Sequence, residues 1–177
     1  MYNRESHLTS QWSGRLRAAH FGAAHRRVRC HMKTPVETPR GLHTHAKEFF
    51  YAAEAVLKSE MAPIFPIAFL WGRTIELLLK SFLLCEGISI KALRSKQYGH
   101  NLVALFETAS DKGLKELIGN DKIFKALVDM QNMDYESKRF EYRLTGARYI
   151  IPDQQGIRRL IRRLMKGINF HLDKNDI

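Results

Sequence analysis

The apolar positions are densest between residues 64 and 106, and this stretch organises the rest of the chain. From Pro66 to Glu86 the run is apolar on almost every side, which is typical of a helix that other helices surround. Pro66 suits a first helical turn, and Gly87 suits the position just after a helix. We therefore predict a central helix over these residues, roughly 31 Å long at about 1.5 Å per residue.

Shorter amphipathic patterns lie on both sides of this helix. Apolar residues recur at spacings of three and four over residues 44–61, and again from residue 101 to a stop at Gly113. Residues 114–118 can form one further turn. Residues 88–99 are polar and basic, so we interpret them as a connection.

The C-terminal part of the chain predicts two more helices. Asn120 or Asp121 can cap a helix that ends near Met133. Its inward residues are predicted to be Ile123, Phe124, Leu127 and Met130. Residues 135–153 permit a short hairpin or an ordered loop. Asp153 can cap the last helix, whose apolar stripe is Ile157, Leu160, Ile161, Leu164, Met165 and Ile168. Together these patterns predict an all-α bundle.

The formal net charge of +11 is concentrated at the start of the 177-residue chain. Residues 1–47 carry nine Lys and Arg against two Glu, whereas residues 48–177 carry twenty against sixteen Asp and Glu. Residues 1–42 lack an apolar period, so we predict a disordered basic tail there and a folded domain over residues 43–172. A translation start near Met32 and an Arg-rich organelle transit peptide are the alternatives for this tail.

The cysteine content and the charges limit where in the cell the protein is expected to lie. The two cysteines, Cys30 and Cys85, provide neither a disulfide framework nor the paired spacing of a metal site. The early histidines lack Cys or carboxylate partners at ligand spacing. No secretory signal is visible, and the three charges inside the central helix would each cost about 2.5–3.5 kcal/mol at a bilayer centre. We expect a cytoplasmic protein with no metal, cofactor or membrane span.

Three strings occur in order along the chain: AFLWGRTIELLLKSFLLCEGIS at residues 68–89, YGHNLVALFETA at 98–109 and YESKRFEYR at 135–143. In their order and spacing they resemble the HEPN superfamily, the higher-eukaryote and prokaryote nucleotide-binding helical domains, over roughly residues 44–170. The resemblance implies an up-and-down antiparallel bundle of four to five helices that is often a homodimer. It also implies RNA cleavage, toxin–antitoxin pairs or defence systems. RNA or a nucleotide would then be the ligand, and a nucleotidyltransferase or antitoxin the protein partner.

Nuclease members of that family carry an Arg and a His separated by four to six residues, near the start of a late core helix. Within the region of the resemblance, the string of that length is Arg94–His100, in the connection before the third helix. After Arg139 no His follows at that spacing. Arg94 and His100 are therefore the candidate catalytic residues, and we expect an RNA- or nucleotide-associated domain without a clear catalytic motif.

One stripe of the central helix carries charges at i, i+3 and i+7. Its members are Arg73, Glu76 and Lys80. Because buried charges require partners, the stripe predicts either a polar pocket with His100, Tyr135 and Arg139 or a structural network that fixes helix register. His100 stands just before a helix, where it can cap that helix or transfer a proton near neutral pH.

Two basic segments are candidates for RNA binding. Residues 135–149 interleave cations with aromatic rings, as phosphate pairing and base stacking require. The candidates there are Arg139, Tyr142 and Arg143. The last helix has no acidic residue from Gln154 to Leu172, so its cationic face predicts a phosphate track. The candidates there are Arg158, Arg159, Arg162 and Arg163.

Each basic segment has a structural alternative. In residues 135–149, the aromatic side chains can pack into the bundle while the neighbouring cations pair with Glu136 and Glu141. In the last helix, the cationic face can be an ordinary solvent-exposed surface. For the protein as a whole, the alternative functions are an active metal-independent endoribonuclease toxin and a non-catalytic dimerisation or interaction module.

Overall fold

The computed structural model describes residues 37–119 and 122–175. Within these ranges it contains seven helices and no strand, which confirms the all-α prediction. They are α1 (Pro39–Leu57), α2 (Ile64–Cys85), α3 (Ile90–Leu93), α4 (Leu102–Asp111), α5 (Leu114–Ile118), α6 (Lys122–Tyr135) and α7 (Gln154–Lys174). The predictions for residues 1–36, and for a cap at residues 120 or 121, lie outside the described residues.

Helix α2 is the central element, as its apolar sequence predicts. It packs against α1, α3, α4, α6 and α7. Trp71, Ile75 and Phe82 are fully buried along it. Pro66 lies in its first turn, and Gly87 follows its end with φ of +83°, a left-handed conformation that glycine adopts at low cost. The predicted start and end of this helix are thus correct to within two residues.

Helix α1 begins at Pro39, five residues before the predicted start, so the predicted boundary of the tail at residue 42 is wrong. Thr38 caps the helix, since its side chain accepts a hydrogen bond from the Gly41 amide at 2.9 Å, and proline is well suited to the first helical position. Ser81 Oγ on α2 donates to the Pro39 carbonyl at 2.7 Å. The segment TPRG, residues 38–41, therefore starts a helix.

His43, just inside the predicted domain boundary, lies in the core. The residue is 3% exposed, and its Nε2 donates to the Met165 carbonyl on α7 at 3.0 Å. Burial lowers the pKa of His43, so the imidazole is neutral. Helix α1 is thereby attached to α7 by a buried polar contact as well as by apolar packing.

We expect a chain that starts at Leu42 to melt at a lower temperature than one that starts at Glu37. The shorter chain lacks the Thr38 cap, worth about 1 kcal/mol, and the Pro39 carbonyl that pairs with Ser81, worth about 1 kcal/mol more. Together these losses correspond to a fall of roughly 4–8 °C. Thermal unfolding followed by circular dichroism measures it, and equal melting temperatures would contradict it.

The face that α6 buries differs from the predicted one. Phe124 and Leu127 are buried as expected and Met130 is half-buried, but Ile123 is 61% exposed. Gln131 completes the inward face, because its amide donates to the Ala68 carbonyl at 2.7 Å. Because a hydrogen-bonded polar residue occupies this buried position, the apolar pattern does not reveal the true inward face of α6. The pattern places Ile123 in the core instead.

Residues 136–153 form a loop without strand structure, so the hairpin alternative is wrong. Phe140 is buried in this loop, and the Tyr149 ring packs edge-on against Phe65 with centroids 4.6 Å apart. Asp153 then caps α7 as predicted, accepting a hydrogen bond from the Gly156 amide at 2.6 Å. In the part of the chain that the structure describes, no helix has both the length and the apolar character needed to cross a bilayer.

Candidate functional site

The predicted polar stripe of α2 is organised around one buried carboxylate. Glu76 is fully buried. Its Oε1 accepts from Arg73 Nη1 at 2.8 Å and from Lys80 Nζ at 2.6 Å. Its Oε2 lies 2.6 Å from the Tyr135 hydroxyl and 3.0 Å from His100 Nδ1. The structure thus brings together all five of these residues, as the polar-network prediction expects.

Local sequence explains this convergence. Arg73 and Lys80 stand three residues before and four residues after Glu76, so all three share a face of α2. Tyr135 is the last residue of α6, and its ring lies directly over Gly72. A Cβ at Gly72 would lie 2.3 Å from Tyr135 Cδ2, so only glycine lets the ring reach the carboxylate.

Electrostatics keep Glu76 ionised. Burial alone would raise its pKa, but the charges of Lys80 and Arg73, together with the hydrogen bonds from Lys80 and Tyr135, outweigh burial and lower the pKa below the ordinary value. Burial, followed by the Glu76 charge, strongly raises the pKa of Tyr135, so the phenol is a hydrogen-bond donor at all physiological pH values. Lys80 also donates to the Gly99 carbonyl at 2.6 Å, which fixes the segment just before His100.

A cleft of about 290 Å³ opens above this network. It is lined by the charged residues Arg73, Glu76, Lys80, Arg94 and Glu37, together with His100. The candidate catalytic residues Arg94 and His100 therefore share one cleft with the polar network. Arg94 is 66% exposed and His100 is 43% exposed at the side chain, so both are accessible to a ligand.

Glu37 is a cleft residue that falls within the predicted tail. Its Oε2 pairs with Arg94 Nη2 at 2.6 Å. The Glu37 side chain is 39% exposed, and the pair lies at the rim of the cleft. A carboxylate thus occupies the position at which Arg94 would meet an incoming anion. The short helix α3, which carries the chain from Ile90 to Leu93 and places Arg94 there, is absent from the sequence predictions.

His100 does not cap α4, so the predicted capping role is wrong. The cap is Asn101, whose side chain accepts from the Ala104 amide at 2.9 Å. Asn132 on α6 accepts from the Leu102 amide at 2.7 Å. With the helix end satisfied by two asparagines, His100 is left to bond with Glu76, and that carboxylate fixes the orientation of the imidazole ring.

Arg139, a predicted member of the polar pocket, lies elsewhere. It pairs with Asp134 at 2.8 Å, donates to the Arg148 carbonyl at 2.8 Å and lies over the Tyr149 ring at 5.0 Å. Arg139 therefore holds the loop of residues 136–153 against the bundle.

The other loop candidates differ from each other. Arg143 lies over the Phe65 ring at 5.2 Å, so it also packs on the bundle. Tyr142 is 68% exposed. Of these loop candidates, Tyr142 is the one that presents an aromatic ring to solvent for base stacking.

The cationic face of α7 is partly neutralised by α1. Arg158 donates twice to Glu54, at 2.6 Å for both hydrogen bonds, and Arg162 reaches Glu54 at 3.2 Å. The hydrogen bonding from Arg158 outweighs burial and lowers the pKa of Glu54. The prediction that the cations of α7 form a phosphate track is therefore wrong for Arg158 and Arg162. The partner, Glu54, belongs to α1, so the absence of acidic residues within α7 does not show that these arginines are unpaired. Arg158 and Arg162 nevertheless line a groove of about 500 Å³ together with Arg159, Arg163 and Lys166.

Comparison of the chain with family models, with curated proteins and with solved structures finds no match. The resemblance to HEPN domains therefore stays a prediction, and the function has to be inferred from the chemistry of the cleft.

Proposed function

We propose that this protein is an RNA- or nucleotide-associated helical domain that holds a phosphate group in the cleft above Glu76. The observation that carries the proposal is the meeting of Arg94 and His100 with Arg73 and Lys80 around one accessible cavity. Following the family resemblance, the domain would act as a homodimer in a toxin–antitoxin or defence system, beside a nucleotidyltransferase or antitoxin partner.

The charge of the cleft supports an anionic ligand. Three cations, Arg73, Lys80 and Arg94, face two carboxylates, so one positive charge is left over when His100 is neutral. Lys80 is 11% exposed and held by Glu76, so it sets the local potential rather than touching a ligand. Arg94 is exposed, and a guanidinium that pairs with a carboxylate can pair equally with a phosphate. An incoming phosphate would then displace Glu37.

One observation favours the endoribonuclease as a second candidate. His100 Nδ1 lies 3.0 Å from Glu76 Oε2, which is how a carboxylate orients the imidazole of a general base. In this mechanism His100 takes the proton of an RNA 2′-hydroxyl, and the oxygen attacks the adjacent phosphorus to form a 2′,3′-cyclic phosphate. The bond from phosphorus to the 5′-oxygen breaks, and that oxygen takes a proton from solvent. Arg94 would stabilise the charge that develops on the phosphoryl oxygens.

Binding of a labelled single-stranded RNA, followed by fluorescence anisotropy at several salt concentrations, tests the proposal. Arg94→Ala is expected to weaken binding about tenfold at low salt, since a charge-assisted hydrogen bond contributes about 1.5–3 kcal/mol. The slope of log affinity against log salt should become shallower by about 0.7, because the variant neutralises one phosphate fewer. Lys96→Ala is the matched control, because it removes one exposed charge from the same segment outside the cleft lining.

The outcomes separate the candidates. Equal losses of affinity for Arg94→Ala and Lys96→Ala would contradict a phosphate site in the cleft. A larger loss for the double variant Arg159→Gln, Arg163→Gln would move the site to the groove on α7. If the unmodified chain does not bind the RNA, the alternative function as a non-catalytic dimerisation or interaction module is favoured. RNA cleavage that disappears in both Arg94→Ala and His100→Gln, with folding unchanged, would establish the endoribonuclease.

A further inference from the structure

A group of potential metal ligands lies at the C-terminal end of α2, outside the lining of the cleft. Cys85, Glu86 and His171 each offer one ligand atom, and these atoms all lie within 4.8 Å of one another. Cys85 and Glu86 are adjacent in sequence, whereas His171 comes from the last turns of α7. Because residues 85 and 171 are far apart along the chain, no ligand spacing in the sequence indicates this site.

The two adjacent ligands lie where α2 ends. Cys85 is the last helical residue, and Glu86 is the cap, with φ of −77° and ψ of 13°. Within a helix, neighbouring residues point about 100° apart, and the long glutamate side chain spans that angle so that its carboxylate lies within 4.8 Å of Cys85 Sγ. Gly87 then turns the chain away with φ of +83°. His171 packs against the Phe82 ring with centroids 5.1 Å apart, so its imidazole is held beside the two α2 residues.

We propose that the protein binds Zn²⁺ through Cys85 Sγ, the Glu86 carboxylate and the His171 imidazole, with water in the fourth position. Thiolate, imidazole and carboxylate are the donors that zinc prefers in proteins. Hard cations such as Mg²⁺ and Ca²⁺ take oxygen ligands instead. This donor set therefore selects a borderline transition-metal ion.

The geometry needs little adjustment. Zn–S bonds of about 2.3 Å and Zn–N bonds of about 2.0 Å place tetrahedral ligand atoms roughly 3.6 Å apart. Ligand atoms that already lie within 4.8 Å of one another need side-chain movements of only about 1 Å to reach that value. Glu86 Oε1 and His171 Nε2 are 2.7 Å apart, and their shared hydrogen bond would be replaced by the two metal bonds.

The site is also accessible, since the side chains of His171 and Glu86 are 20% and 27% exposed and Cys85 is half-buried. Binding requires the Cys85 thiol to lose its proton to solvent and His171 to be neutral, so metal affinity should rise with pH. A bound ion would fasten the end of α2 to α7 where the Glu86–His171 hydrogen bond now joins them.

Titration of the full chain carrying Cys30→Ser with Co²⁺, a spectroscopic substitute for Zn²⁺, tests the proposal. Cys85 is then the one thiol in the sequence. Binding should produce thiolate-to-cobalt charge-transfer absorption in the near-ultraviolet, and added Zn²⁺ should abolish it. Histidines elsewhere cannot give this band, because it requires sulfur. Absence of the band in the Cys30→Ser protein would overturn the proposal.

Three variants in the Cys30→Ser background assign the ligands. Cys85→Ser should remove the band, and His171→Gln and Glu86→Gln should each weaken binding at least tenfold, while the exposed control His45→Gln should not change it. Zn²⁺ should also raise the melting temperature by several degrees, and Cys85→Ser should abolish that rise. A band that persists unchanged in both His171→Gln and Glu86→Gln would overturn the site, as would an equal thermal shift in Cys85→Ser.

Discussion

Glu76→Gln is expected to lower the free energy of unfolding by about 3 kcal/mol. Removing one member of a buried ion pair leaves uncompensated charge and typically costs about 3–5 kcal/mol. Here the change would leave Lys80, 11% exposed, without its carboxylate, and would weaken the hydrogen bonds to Arg73 and Tyr135. Glutamine keeps the shape and one acceptor oxygen, so the effect should fall at the lower end of that range. Urea unfolding at neutral pH measures it.

Glu48→Gln is the matched control, because Glu48 lies on an exposed face of α1. It should change stability by less than about 0.5 kcal/mol. An equally small effect at Glu76 would show that the network contributes nothing to the fold.

The same carboxylate predicts how stability depends on pH. Because the pKa of Glu76 is lower in the folded protein than its ordinary value of 4.5, the folded state binds fewer protons than the unfolded state at acid pH. The stability contribution of Glu76 is therefore complete above that ordinary value and is lost as the pH falls through the folded pKa. In urea unfolding at a series of pH values, Glu76→Gln should lose less stability over this acidic range than the unmodified chain does.

Gly72→Ala is expected to destabilise the fold by about 2 kcal/mol, although alanine is ordinarily the better helix former by about 1 kcal/mol. The new Cβ would lie 2.3 Å from Tyr135 Cδ2 and 2.8 Å from Cγ. The ring must move, and overpacking of this kind costs about 1–3 kcal/mol. Movement of the ring also lengthens the Tyr135 hydrogen bond to Glu76, 2.6 Å long in the unmodified chain.

A double-mutant cycle isolates this clash. In a Tyr135→Ala background the ring is absent, so Gly72→Ala should become neutral or stabilising. Comparable destabilisation in both backgrounds would show that another neighbour, or the backbone itself, requires glycine at this position. Urea unfolding of the four proteins provides the measurement.

Single-helix features of the fold can be predicted from sequence because they depend on residues close together in the chain. The apolar run of α2, the Asp153 position before α7 and the glycine stop at Gly113 are all local signals. The start of α1 escapes prediction for a local reason as well. The Thr38–Pro39 pair suits a turn as well as a helix start, and the absence of an apolar period over residues 1–42 assigns the pair to the tail.

The candidate site can be predicted where its residues share one helix face. The spacing of Arg73, Glu76 and Lys80 indicates a common network, and their burial demands further partners. Pairings between helices cannot be found in this way. The Glu54–Arg158 pair and the neighbourhood of Cys85 and His171 depend on how α1, α2 and α7 pack, which no spacing along the chain encodes.

The interface between α1 and α7 joins the first and the last helix of the described chain. Arg40 pairs with Asp173 at 2.7 Å, and Glu54 pairs with Arg158, so residues more than one hundred positions apart must meet. Synthesis proceeds from the N-terminus, and α1 and α2 therefore leave the ribosome well before α7 exists. Until α7 emerges, the apolar surface that it covers stays uncovered on the nascent chain, which makes this interval the most vulnerable to aggregation or chaperone capture.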